Sequence, residues 1–206
     1  MFTAADLCVF LGFLYAFVGA HGTAATYDTD ARKVLFPPHI YWLYRRSIGT
    51  SDTRFTSNKR CVEMEYVQYN DTFDIVTLDA RNHTEKEHWE PKMYWASVKE
   101  QGGNVLRYTP YEYEVDTATA VEYRVLHVAQ NACYVAERIP TTGVTTDRTQ
   151  EKTHQCELWL KKDTEVGHQR PTYTSQSLQA CKDAVDHLCI TLELVYYQRL
   201  CDSILP

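Results

Sequence analysis

Period-two alternation of apolar and polar residues, sustained from about residue 39 to residue 162, constrains this chain more than any other feature. Side chains on an extended strand point alternately to opposite faces, so such a pattern reads as half-buried strand. Val62, Met64 and Tyr66 share one face of a run while Glu63 and Glu65 share the other. Phe73, Ile75 and Thr77 oppose Asp74 and Val76 in the next run. Further runs fall at 39–47, 93–98, 105–109, 111–115, 121–128, 133–139 and 155–161. Turn chemistry interrupts them roughly every 8–12 residues, the spacing of an all-β sandwich or barrel. Gln101-Gly102-Gly103-Asn104 is the clearest of these turns and predicts a hairpin between residues 93–98 and 105–109. About eight short strands in sequence therefore predict an up-and-down barrel or a sandwich.

One segment reads firmly as helix. After Ser175 and Ser177, the residues Leu178, Cys181, Ala184, Val185, Leu188 and Cys189 recur at spacings of three and four. Lys182, Asp183 and Asp186 fall on the opposite side. A short helix over 29–36, ended by Pro37-Pro38, and a last apolar run at 191–197 complete the pattern. A helix that follows many strands is the order of a barrel with a helix laid on its outer wall.

The amino terminus reads as a leader. Leu7 to Val18 is apolar throughout, too short to span a bilayer, and is followed by Gly19 and Ala20. The expectation is a signal peptide over residues 1–20, cleaved after Ala20 or Gly22, and one domain over 21–206. Removing Asp6 with the leader takes the formal net charge from −6 to −5. No basic stripe is present, Lys161 and Lys162 being the nearest approach to one. That argues against a nucleic acid or an anionic membrane as partner. Cys8 leaves with the leader, and Cys61, Cys133, Cys156, Cys181, Cys189 and Cys201 remain. An even count behind a leader predicts three disulfides and an extracellular location. Asn70-Asp71-Thr72 and Asn82-His83-Thr84 are sequons, so Asn70 and Asn82 are the expected glycosylation sites, in exposed loops.

The 155–161 run says more. Cys156, Leu158 and Leu160 share one face and Glu157 and Trp159 the other. With the apolar face against the helix, Cys156 comes within reach of Cys189, and Glu157 and Trp159 point into the barrel. An inward acid is costly unless it meets a cation, a donor or water, and a ligand amine is one such cation. The competing readings are a hydrogen-bonded structural acid at Glu157, or an inverted strand that turns it outward.

Cys133-Tyr134-Val135, the block Cys156-Glu157-Leu158-Trp159-Leu160, Cys181 on a helix and Cys201 near the end resemble the tick salivary lipocalins of the histamine-binding type. The resemblance runs from about Asp28 to Cys201. It implies an eight-stranded antiparallel lipocalin barrel with a C-terminal α-helix packed outside. It also implies the pairs Cys61–Cys201 and Cys133–Cys181, which leave Cys156 for Cys189. Members of that family act as salivary sinks for host mediators, some for histamine or serotonin, others for leukotrienes, thromboxane or cholesterol, and are not enzymes. Asp52 and Phe55 fall where amine binders carry an acid and an aromatic; Glu90 and Tyr108 fall in matching strands, and Glu157 matches the acid of the Glu-Leu-Trp block. Carboxylates and aromatic faces suit a protonated amine through charge-assisted hydrogen bonds and cation–π contacts. Tyr134 stands where the amine-binding pattern has an acid, and the stretch from Val135 to Glu157 is longer than that pattern has.

The leading expectation is a secreted, monomeric salivary lipocalin that sequesters a biogenic amine in a site of Asp52, Phe55, Glu90, Tyr108 and Glu157. The second is a sink for an eicosanoid or sterol, with Arg45, Arg124 or tyrosine hydroxyls near the mouth to hold a carboxylate or hydroxyl. The third is an inhibitor of a host immune or clotting protein, acting through the polar stretch 141–154. No His-Glu-x-x-His, Gly-x-Ser-x-Gly or phosphate-loop motif occurs, so no enzyme, cofactor or metal is expected. His83, His88, Glu85 and Glu87 beside a sequon read as solvated, and His127, in alternation with Val121, Tyr123 and Val125, reads as structural.

Overall fold

The computed structural model describes residues 26–48, 61–70, 75–82, 92–111, 120–129, 132–140, 154–162, 175–197 and 201. A short helix α1 (Arg32–Leu35) precedes eight strands: β1 (Ile40–Ser47), β2 (Val62–Asn70), β3 (Ile75–Asn82), β4 (Lys92–Val98), β5 (Val105–Pro110), β6 (Val121–Ala129), β7 (Cys133–Ile139) and β8 (Cys156–Lys161). Helix α2 (Ser175–Leu188) and a short strand β9 (Leu192–Leu194) follow.

Consecutive strands pair antiparallel from β2 to β8, and β1 closes the ring. One edge of β1 pairs with β8 over Tyr41–Arg46. Its other edge is divided, pairing with β2 over Ile40–Trp42 and with β9 over Arg45–Ser47. The result is a curled antiparallel barrel of lipocalin type, and the apolar run at 191–197 adds the ninth strand to its edge. The β4–β5 hairpin turns as the Gly-Gly pair predicts. Gly102 has φ +71°, a conformation that L side chains rarely adopt, and Gly103 N donates to Glu100 O at 2.8 Å.

Alternation divides the buried residues into two cores. Met64, Tyr66, Leu106, Tyr108, Tyr123 and Trp159 belong to the interior, whose end is covered by Ala31, Val34 and Leu35 of the α1 region. Cys156, Leu158 and Leu160 belong to a second core outside the barrel, with Leu178, Cys181, Ala184 and Val185 of α2. Lys182, Asp183, Asp186 and His187 on the far side of that helix are exposed. Disulfides Cys133–Cys181 and Cys156–Cys189 tie α2 and its end to β7 and β8, and Cys61–Cys201 joins the start of β2 to the C-terminal region. These are the three pairs that the resemblance implies.

Two expectations are corrected. His127 does not share a face with Val121, Tyr123 and Val125. The β6–β7 register shifts between Val125 and His127, and the extra residue turns His127 to the outer face, opposite Val135. Asn70 and Asn82 are the last residues of β2 and β3 rather than loop residues. The 111–115 run lies outside the described residues beyond Tyr111, as do the leader and the stretch 141–153.

Candidate functional site

The site lies inside the barrel, built by inward positions of neighbouring strands. Met64 of β2, Leu106 and Tyr108 of β5, Tyr123 of β6, Tyr134 and Ala136 of β7, and Glu157 and Trp159 of β8 surround one small space. Their side chains fill it, leaving no room for a water molecule between them. A ligand that enters at this level must displace aromatic rings.

Those rings form a connected set. Tyr134 lies parallel to Trp159 with centroids 6.0 Å apart and meets Tyr41 edge-on at 5.0 Å. Tyr108 meets Tyr123 edge-on at 5.8 Å, and its hydroxyl lies 3.3 Å from that of Tyr66. Such edge-to-face pairs suit the ring quadrupoles and add about 0.5–1.5 kcal/mol each beyond area burial. Burial, and after it neighbouring phenols, hold the Tyr66 and Tyr134 hydroxyls well above the ordinary tyrosine pKa. Burial also raises Tyr41 and Tyr108. The phenols therefore remain protonated at neutral pH, and each can donate as well as accept.

Glu157 contributes the one carboxyl group among the residues lining this space. It is 3 % exposed and accepts a hydrogen bond from Trp159 Nε1 at 3.2 Å. Two-residue spacing on one strand places both side chains on the inner face, so strand geometry itself sets up the contact. Glu157 also raises the Tyr108 and Tyr123 hydroxyls, behind the larger effect of burial. An acid fixed by donors, ringed by aromatic faces and shielded from water can hold a cation strongly, because little screening opposes the attraction.

Of the residues singled out from sequence, the structure brings Tyr108 and Glu157 together. Asp52, Phe55 and Glu90 lie outside the described residues. Arg45 is exposed, its guanidinium 5.5 Å from the Tyr44 ring centroid. Arg124 is on the outer face, paired with Glu137 at 2.6 Å. Neither serves the interior. Tyr134, which departs from the amine-binding pattern, is an interior residue, and Tyr66 and Tyr123 join it. Their signal was in the alternation itself, each being two residues from another inward apolar position. Among the described residues, no group of three or more His, Cys, Asp and Glu side chains could hold a metal ion. No described helix is long and apolar enough to cross a membrane.

The sequence pattern of the tick histamine binding protein family matches residues 21–203. The chain belongs to that family. None of the curated proteins matches it. Among solved structures, the chain is similar to lobster apocrustacyanin A1, with a TM-score of 0.51 and 8% identity over 85% of this chain and 88% of that one. It is similar to apocrustacyanin C2 with a TM-score of 0.52 and 9% identity over 86% and 89%. Japanin from Rhipicephalus appendiculatus, solved bound to cholesterol, has a TM-score of 0.46 and 16% identity over 79% and 95%. The crustacyanin likenesses show the lipocalin fold. Membership of the histamine binding family makes this a small-ligand-binding lipocalin.

Proposed function

We propose that this family member sequesters a small protonated aromatic amine, histamine or serotonin, inside its barrel. The observation that carries the reading is Glu157: buried, held by Trp159 Nε1, and surrounded by Tyr108, Tyr123 and Tyr134. An ammonium group seats against the carboxylate while aromatic faces contact the ligand ring. The tyrosines make room by rotating, since the space is closed without a ligand. Asp52, Phe55 and Glu90 join this site in the same reading. The protein acts by binding alone, with no covalent step. Three disulfides support secretion to an oxidising compartment, here saliva, and glycans on Asn70 and Asn82 fit the same setting.

Calorimetric titration of the disulfide-bonded protein with histamine and with serotonin at neutral pH tests this. The expected result is saturable binding of one of them that weakens at least about tenfold in Glu157→Gln, the loss of a charge-assisted contact. An unchanged affinity in that variant removes Glu157 from the site. Binding of a sterol or eicosanoid with no amine binding at all overturns the reading.

A further inference from the structure

The inner wall carries a second charge, of opposite sign. On β7, Tyr134 and Ala136 point inward and line the filled space, while Glu137 points outward to Arg124 and His154. Alternation then turns Arg138 inward, where it is paired in register with the inward Tyr123. Among the described residues, its Nε is buried without a hydrogen-bond partner. A buried donor left unmet costs about 1–3 kcal/mol, and an acceptor brought by a ligand would relieve that cost.

Glu157 stands diagonally across from it. Ala136 is directly opposite Glu157 in the β7–β8 register, and Arg138 is two residues further along β7 on the same face. Diagonal neighbours of this kind lie roughly 7–8 Å apart, a separation that a small molecule can bridge. Tyr123 senses both charges: after burial, Glu157 pushes its hydroxyl further up and Arg138 draws it down. A bare amine at Glu157 brings a positive charge toward Arg138. A bare carboxylate at Arg138 brings a negative charge toward Glu157. Only a molecule with both groups answers both residues, and a guanidinium holds a carboxylate through two parallel hydrogen bonds.

We propose that the barrel prefers a small aromatic zwitterion, with its ammonium on Glu157 and a carboxylate on Arg138. This rests on the reading of Glu157 as the seat of a ligand ammonium.

Three indoles separate the two ideas, because displacing the tyrosine rings costs the same for each: tryptamine, tryptophan and indole-3-propionate, titrated by calorimetry at neutral pH. Tryptophan is expected to bind at least about tenfold tighter than tryptamine, the effect of one charge-assisted contact. Arg138→Gln should bring the two affinities together, and Arg138→Lys should keep part of the difference, with far-UV melting showing both variants folded. Tryptamine binding as tightly as tryptophan sinks the zwitterion proposal and leaves the amine reading standing. A preference that survives Arg138→Gln sinks it too. Indole-3-propionate binding more tightly than either partner overturns both.

Discussion

Strands β7 and β8 have two sides, and those sides differ in kind. The outer side, under α2, is aliphatic and covalently stapled: Leu158, Leu160 and Val135 pack with Leu178, Ala184 and Val185 between two disulfides. The inner side is aromatic, with Tyr134 and Trp159 parallel, and it carries the acid Glu157 and, further along β7, Arg138. Successive residues of one strand therefore serve different ends. Leu158 has no polar atom to satisfy and contributes through burial and dispersion. Glu157 is desolvated at a cost that burial does not return, which makes sense only if a cation or donor meets it. Such a division lets the inner surface change with the ligand while the outer one keeps the barrel folded.

The largest expected effect tests the outer side. Replacing Cys156 and Cys189 together with Ala opens a link of sequence separation 33. Loop-closure arguments put the loss near 4 kcal/mol. For a domain of this size that lowers the midpoint of thermal unfolding by about 10 °C, measured by calorimetry without reductant. Ligand affinity well below the transition should persist. If it disappears with the bond, the two sides are not separable and the comparison fails.

Next come adjacent residues on opposite sides. Leu158→Ala leaves a hole in the outer core and should cost about 3 kcal/mol in chemical denaturation. Glu157→Gln keeps an oxygen to accept from Trp159 Nε1, so its stability should change by less than about 1 kcal/mol while amine affinity falls. The reverse pattern would make Glu157 a structural acid.

Much of this was legible because period two carries both strand and face. Counting alone puts Glu157 and Trp159 on one face and Cys156, Leu158 and Leu160 on the other; which face is inward needed the helix as well, and the structure turns Glu157 and Trp159 inward. Counting failed at His127, because a bulge adds one residue and every later side chain changes face; nothing in Val125-Leu126-His127 announces it. It also gave no weight to Arg138, whose role depends on what stands diagonally across on another strand. Arg45 and Arg124 were the more conspicuous basic residues, yet one is exposed and the other is paired outside. The filled space beside Glu157 was the least legible feature, since it depends on how tyrosine rings from several strands interlock.

A smaller effect probes that interlocking. Tyr66→Phe removes the hydroxyl that faces Tyr108 at 3.3 Å, a contact at the long end for two hydroxyls. The expected loss is about 1 kcal/mol. Because the ring remains, a larger loss would mean that the inner side is held as tightly as the outer one.

The smallest effect concerns His127, on the outer face against Tyr27 with ring centroids 5.7 Å apart. Burial lowers its pKa from the ordinary 6.5, and Asp28 offsets that only in part, its own carboxylate being engaged by Lys33. A lowered pKa means that the folded protein favours the neutral ring. The stabilising contribution is present above pH 6.5 and is lost as pH falls below it, when the unfolded chain takes up a proton first. Stability measured by denaturation from neutral to mildly acidic pH should therefore decline in the wild type and decline less in His127→Phe. An equal decline in both would move the acid sensitivity elsewhere. If the lost sensitivity came with altered amine affinity, the outer wall would be coupled to the site after all, and the division between the two sides of the sheet would need redrawing.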